Sequence, residues 1–376
     1  MSAEGKRILI IGGGFSGMAA AIQLRKVGAS VDLVEIDPVW RSYGAGITLG
    51  GASLRALRTI GALDAFLEKG AATDGVDVFT AAGHRIASLP TPRLAGPDVP
   101  GGGAIMRPVL AGILAEATRG CGASVRLGAT FERIEATEKG VRVLFSDGSE
   151  SAYDLAIGAD GLYSKTRAAL FPDAPQPRYT GQCVWRAVAP RPREVERPTM
   201  WLGHRVKVGV NPVSRDEMYM FVTEDRPTND RIDPARFVSM LAELIAPFSS
   251  PVVQDVRASL GVNSQIVYRP LEALLMPRPW SRNYVVLIGD AAHATTPHLA
   301  SGACIGIEDA IVLAEEIDRA GNVADALQAF ESRRWERCRM VVENSLRLGE
   351  IEIKDGDPAE HARIMRESMT ALAAPI

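Results

Sequence analysis

The chain has 376 residues, a formal net charge of −3, 47% hydrophobic and 23% charged residues. This is an ordinary globular composition with length for two domains of typical size. The mild acidity gives nucleic acid no electrostatic reason to bind, and no apolar run approaches the ~20 residues that span a bilayer.

Residues 7–11 are short and apolar and predict a buried parallel strand. Residues 16–27 carry apolar side chains at Met18, Ala21, Ile22 and Leu24 and stop at Gly28, which predicts a helix. A strand over 31–35 closes a βαβ unit. A helical pattern over 53–67 is interrupted at Gly61. Alternation at 76–79 and 86–89 predicts a hairpin, and a Pro/Gly-rich connection follows over 90–103. Helical spacing returns over 107–119, with Pro108 acceptable near a helix start.

Strands are expected at 124–127, 131–137 and 141–145, with Asp147-Gly148 as a turn. A buried strand over 155–159 ends in Asp160-Gly161. The block 177–270 is richer in Pro, Arg and aromatics; it predicts strands at 182–189, 200–202, 206–210 and 218–223 and one helix over 234–245. A core strand at 284–288 precedes long helical patterns, and no internal repeat or low-complexity segment is present. The α/β material is therefore discontinuous. It predicts a nucleotide-binding domain from 1–72, 101–176 and 280–345, a second β-sheet domain from 73–100 and 177–279, and a C-terminal helical segment over 346–376.

The four cysteines, Cys121, Cys183, Cys304 and Cys338, form no close pair. They read as reduced thiols in a cytoplasmic protein, and they disfavour a redox-active disulfide. The N-terminus lacks the pattern of a secretory signal. The five histidines (84, 204, 293, 298 and 361) are scattered, and no His/Cys/carboxylate spacing suggests a metal.

Gly12, Gly14 and Gly17 sit between strand and helix, the context a dinucleotide turn requires. The first permits the tight turn, the second lets backbone approach a pyrophosphate, and the third lets helix and strand pack closely. Glu35, 18 residues beyond Gly17, stands where a carboxylate can accept both ribose hydroxyls of an adenosine. A second nucleotide-type turn, Gly289-Asp290, follows the 284–288 strand. Its carboxylate can accept hydrogen bonds from a polyol. The loop from Pro297 to Ala303 leads into a helix beginning near Gly302, whose positive end suits an anion such as the N1–C2=O edge of a reduced flavin. A plain dehydrogenase has no use for this second element.

Three segments carry a resemblance: GGGFSG at 12–17, IGADGLYSKTR at 157–167 and GDAAHATTP at 289–297, with GAGI at 44–47 and Arg107 beside them. In this order the chain resembles the FAD-dependent aromatic hydroxylases, single-component flavoprotein monooxygenases that include the para-hydroxybenzoate, salicylate and 6-hydroxynicotinate enzymes. The resemblance implies an α/β fold, with a Rossmann-like, glutathione-reductase-type three-layer FAD domain and a second β-sheet substrate domain. It implies FAD as cofactor and NADH or NADPH as transient reductant. O2 would be used to hydroxylate a small phenolic or hydroxy-heteroaromatic substrate through a flavin C4a-hydroperoxide, in a monomer or homodimer.

Carried onto this sequence, it assigns Glu35 to the adenosine ribose, Arg107 to the ribityl-pyrophosphate region and Asp160 to FAD and NAD(P)H handling. Asp290 goes to the ribityl or pyrophosphate part, and Pro297 beside the isoalloxazine. Phe15, Ser16, Ile36, Arg41, Ile47, Leu127, Gly289, Ser301, Gly302 and Ala303 complete the implied cofactor set with Gly12, Gly14 and Gly17. Leu299 and Ala300 depart from the commoner Gln-Gly or Leu-Gly pair.

On the substrate side, Thr48 should lie near the ring edge, and His298 is a candidate base or proton relay. Lys207 could offset a carboxylate or phenolate, or simply be exposed; Tyr219 could orient a hydroxyl, or simply pack in the sheet. His293 and Trp185-Arg186 read as structural. Two other readings stay open: a related epoxidase or oxidase acting on a larger non-phenolic metabolite, and a non-catalytic flavin-binding sensor.

Overall fold

The computed structural model describes residues 3–376. Its centre is a six-stranded sheet in the order Ser281–Arg282, Val285–Leu287, Leu155–Gly158, Arg7–Ile11, Ser30–Glu35 and Ser124–Leu127. All pairings are parallel except the antiparallel edge pair 281–282 with 285–287. A parallel sheet is covered on both faces, which is why these strands read as continuous apolar runs. Ile8, Ile10, Leu33, Ile157 and Val286 pack with helices Phe15–Lys26, Arg107–Gly120 and Gly302–Arg319. Leu9, Ile11, Val34 and Ala156 pack instead with Phe131, Val143 and Phe145 of an antiparallel three-stranded meander. Helices, parallel sheet and meander make the expected three layers.

The second sheet has seven strands in the order Ile266–Ala273, Arg178–Pro190, Glu217–Asp225, Val206–Pro212, Thr199–Leu202, Val76–Thr80 and Arg85–Leu89. The early hairpin thus joins its edge, by parallel pairing of Val76–Thr80 with Thr199–Leu202. Alternation along a strand sends neighbours to opposite faces. Cys183, Trp185, Ala187, Met218, Met220 and Val222 face a core shared with helices Phe237–Ile245 and Pro251–Ser259. The paired residues Val184 and Thr223, Arg186 and Phe221, and Val188 and Tyr219 share the opposite face. Trp185 is fully buried, meets Phe237 edge-on at 5.3 Å and donates its indole N–H to Glu224 Oε2 at 2.8 Å.

Some elements differ from expectation. Gly46–Gly50, Gly102–Met106 and Ala71–Thr73 form a small antiparallel sheet, so the 90–103 connection ends in a strand. Their glycine- and alanine-rich sequences carry no clear alternation. The 53–67 pattern is two helices, Gly51–Ile60 and Leu63–Lys69, divided at Gly61 with φ +82°. The short helices Lys165–Leu170 and Pro251–Ser259 and the strands Glu150–Tyr153 and Ile266–Ala273 were not anticipated. The chain closes with Val323–Ile353 and Pro358–Ala373. Among the described residues, no helix is long and apolar enough to cross a membrane.

Candidate active site

The glycine turn is shaped by collision on two sides and by space on the third. Gly12 takes φ +106°, and a Cβ there would overlap the Ala159 carbonyl and come within 2.9 Å of Asp160 Cα. A Cβ on Gly17 would run into the Gly12 carbonyl oxygen. Gly14, by contrast, has nothing within 4 Å of its Cβ position. It caps the helix Phe15–Lys26 without a side-chain hydrogen bond, so the unpaired N–H groups of the first turn open onto free space. A phosphate-sized anion fits this cradle.

Glu35 is fixed at its strand end: Oε2 accepts from Gly13 N and Oε1 from Asp37 N, each at 2.7 Å. Each oxygen keeps a lone pair for a ribose hydroxyl. Trp40, which sequence reasoning passed over, donates its indole N–H to Gly13 O at 2.7 Å and lies under Arg119 at 4.7 Å. Leu127 pairs with Glu35 in register. Ile36 is 61% exposed. Arg41 is bound to Asp37 at 3.1 Å and lies over Tyr43 at 5.4 Å. Ile47 sits in the small sheet opposite Ile105.

The second nucleotide turn touches the first. Gly289 takes φ +59°, and a Cβ on either Gly289 or Gly306 would overlap Ser16 Oγ. The serine hydroxyl is therefore seated between two glycines from the far end of the chain. Gly289 N donates to Asp309 Oδ2 at 2.9 Å. Asp290 and Arg107 are both solvent-accessible, yet both are desolvated by surrounding protein, as expected of residues on the wall of a cleft. Burial pushes the Asp290 carboxyl up, opposed by His293 and Arg107. Arg107 is pulled down by the same desolvation, opposed by Asp290 and reinforced by Arg186, and its guanidinium lies 4.7 Å above the Phe15 ring.

The Asp160 carboxylate is held by its own segment. Its Oδ2 accepts from Thr166 N and Oγ1, each at 2.9 Å, and its Oδ1 accepts from Ser164 Oγ. Both carboxylate oxygens are thus engaged in starting the helix Lys165–Leu170. Its backbone, not its carboxylate, borders Gly12. Arg167, buried, donates to Ala291 O at 3.0 Å and ties this motif to the Asp290 turn.

Pro297–Leu299 forms a short 3-10 turn, and Ala300 closes it at φ +48°. Leu299 is buried in the helical core, and Ser301 Oγ donates to Leu299 O at 2.7 Å. The first bond of the helix Gly302–Arg319 runs from Ile305 N to Ser301 O, which leaves the N–H groups of Gly302 and Ala303 at its positive end.

On the substrate side, the Thr48 and Tyr219 hydroxyls are in hydrogen-bond contact. Tyr219 is buried and its ring lies so close to Gly46 that any Cβ there would strike it. Burial pushes the phenol up, with Thr48 and Arg186 opposing.

Lys207 requires correction. It is neither an exposed lysine nor a free cation awaiting a carboxylate: Nζ lies 2.6 Å from Glu352 Oε1. His298 joins the same group. Its Nδ1 lies 2.9 Å from Thr296 Oγ1 and its Nε2 3.5 Å from Glu352 Oε2, with His361 Nε2 3.3 Å from Glu352 Oε1. Burial lowers His298, only partly offset by Glu352.

His293 is more than packing. It is fully buried with Nε2 2.6 Å from Asp309 Oδ2, and Arg334 Nε meets Asp309 Oδ1 at 2.8 Å. Cys338 completes a His/Asp/Cys cluster of ligand-like proximity that linear spacing did not reveal, but the guanidinium already supplies its positive charge.

Arg186 is the residue sequence reasoning undervalued. It shares the Tyr219 face of the sheet, and burial lowers it, with Tyr219 pulling the other way. The alternation of 182–189, with Trp185 in the core phase, was the available signal.

A family model described as "FAD binding domain" matches residues 6–345. The aurachin C monooxygenase/isomerase of Stigmatella aurantiaca is 31% identical over 352 residues, covering 92% of this chain and 90% of that protein. The 2-heptyl-3-hydroxy-4(1H)-quinolone synthase of Pseudomonas aeruginosa is 32% identical over 347 residues, covering 92% and 89%. Klebsiella pneumoniae HpxO, solved with FAD and uric acid, shares the fold with a TM-score of 0.86 at 24% identity, covering 98% of this chain and 97% of that one.

Proposed function

The chain belongs to the FAD-dependent aromatic hydroxylase family, and from that premise we propose that this FAD-dependent monooxygenase takes NADH or NADPH and O2 to hydroxylate a small phenolic or hydroxy-heteroaromatic substrate. The balance is substrate–H + NAD(P)H + H⁺ + O2 → substrate–OH + NAD(P)⁺ + H2O. One observation carries the reading: the two nucleotide turns meet at Ser16, Gly289 and Gly306, with Arg107 and Asp290 close enough beside them to interact.

When bound, FAD supplies the redox centre that takes hydride from the nicotinamide and activates O2. The chain's own residues do the rest. Glu35 accepts the ribose hydroxyls, the N–H groups after Gly14 hold the pyrophosphate, and Asp290 and Arg107 hold the ribityl side. The N–H groups of Gly302 and Ala303, at the positive end of their helix, would stabilise negative charge on a ring edge held there. We assign 73–100 and 177–279 to the substrate-side domain. Its face bearing Tyr219, Phe221 and Arg186 excludes water. Tyr219, kept protonated by burial, orients the ring hydroxyl with Thr48. Arg186 offsets the charge of a phenolate, the more nucleophilic form of the ring. His298, next to Pro297 in the chain and against Glu352, serves as the proton relay.

The relatives' names support a hydroxylated or oxo-substituted ring: a quinolone in one, uric acid bound in another. The test is a panel of hydroxybenzoates, salicylates and hydroxypyridines offered to purified yellow protein. A substrate should stimulate NAD(P)H oxidation and gain one oxygen atom by mass. Protein that folds but takes up no flavin, or a product without added oxygen, would overturn the reading.

A further inference from the structure

A cavity of about 250 Å³ lies where three elements meet: the start of strand Arg178–Pro190, the loop holding Thr296 and His298, and the helix Val323–Ile353 near Ser345 and Gly349. Two buried polar atoms in its wall have no hydrogen-bond partner among the described residues: Gln182 Oε1 and Ser345 Oγ. Gln182 is 3% exposed, Ser345 0% and the His298 side chain 2%. Buried polar groups are nearly always paired, so two orphans around one cavity mark a site shaped for a hydrogen-bonding guest.

Gly349 sits inside this unbroken helix, where glycine is a poor helix former. A Cβ at this position would come within 3.0 Å of both Gln182 Oε1 and His298 Cε1. The glycine keeps this wall back from the two polar side chains.

The chemistry of the wall selects the guest. The Gln182 carboxamide offers an acceptor and a donor side by side, the complement of a cis-amide edge. Ser345 adds a hydroxyl able to give or accept. The neighbouring charges are already matched: Glu352 by Lys207 at 2.6 Å and Glu350 by Arg347 at 3.2 Å. Arg178 is exposed at the rim. A neutral guest therefore fits better than an anion, and the volume suits a single ring.

We infer that this cavity is a substrate subsite that recognises the neutral cyclic-amide (lactam) edge of a heteroaromatic ring through Gln182 and Ser345. The inference rests on the proposed hydroxylation, because Thr296 and His298 flank the Pro297 that the reading sets beside the flavin. It narrows the substrate class from phenolic and hydroxy-heteroaromatic rings to pyridone-like ones.

The experiment is calorimetric titration of the FAD-loaded protein with 2-pyridone, and with benzoate as the anionic ring of similar size. Binding of 2-pyridone at least tenfold tighter than benzoate is expected. Gln182→Leu should weaken 2-pyridone at least tenfold and Ser345→Ala severalfold, with the FAD absorbance per chain unchanged. Gly349→Ala, which narrows the cavity, should weaken it as well. Undiminished binding to Gln182→Leu and Ser345→Ala, tighter binding of benzoate, or no binding of 2-pyridone would overturn the proposal. Should Gln182→Leu fail to fold, judged by circular dichroism, Ser345→Ala decides alone. Calorimetry needs no turnover, so a failure of the hydroxylation reading leaves this result readable in its own right.

Discussion

Lys207 Nζ lies 2.6 Å from Glu352 Oε1 and thereby fastens the seven-stranded sheet to the last turn of the helix Val323–Ile353. Burial alone would push the Glu352 carboxyl up; Lys207, His298 and His361 outweigh it and hold the group well below the ordinary range. A carboxylate depressed in the folded state contributes stability above its unfolded pKa, near 4.3, and loses it as pH falls through the folded value. Lys207→Met should therefore cost roughly 1–3 kcal/mol at neutral pH and flatten the loss of stability below pH ~4.3. Urea melts of both proteins across the acid range measure it; equal slopes in that range would count against the pair.

Gly14→Ala separates folding from cofactor binding. No protein atom lies within 4 Å of the new Cβ, so the apoprotein should melt as the parent does. The same methyl group would stand in the space before the helix N-terminus, and FAD affinity should fall at least tenfold, about 1.4 kcal/mol. Fluorescence titration with FAD reads this directly. Gly17→Ala, whose Cβ would run into the Gly12 carbonyl, should impair both properties.

Ala300→Gly should stabilise the protein. Ala300 sits at φ +48°, a conformation that costs an L-residue about 1–2 kcal/mol. Part of the gain is offset by the greater freedom of glycine in the unfolded chain, leaving roughly 0.5–1 kcal/mol. A thermal melt should move upward by a few degrees; a lower midpoint would mean that the methyl group makes a contact worth more than the strain.

Tyr219→Phe removes one member of the hydroxyl pair with Thr48 but keeps the ring against Gly46. FAD content should be unchanged, while kcat/KM for the substrate falls about tenfold, the scale of one lost buried hydrogen bond. Steady-state kinetics with the substrate found in the panel decides the matter, and an unaltered kcat/KM would reduce Tyr219 to a packing residue.

The elements built from neighbouring residues were legible. Gly12, Gly17 and Glu35 stand in one βαβ unit whose spacing is set within about thirty residues, and the alternating strands around Trp185 and Tyr219 declare themselves by period two. What escaped were relationships between distant segments. Nothing near Lys207 announces Glu352, 145 positions away, and nothing near Gly13 announces that the Trp40 indole will hold its carbonyl. The face taken by Arg186 was set by strand register. Asp160 differs, since its capping partners Ser164 and Thr166 lie within six residues and could have been read from the sequence.

The seating of Ser16 between Gly289 and Gly306 also bears on the order in which this molecule matures. Half of the nucleotide cradle is made when the first thirty-five residues have been synthesised, and the other half waits for residues near position 306. A nascent chain cannot close the cradle until about four-fifths of its length has emerged. Capture of the cofactor is then a late event, joined to the docking of the C-terminal helices. Chains released early carry a glycine turn without its second half.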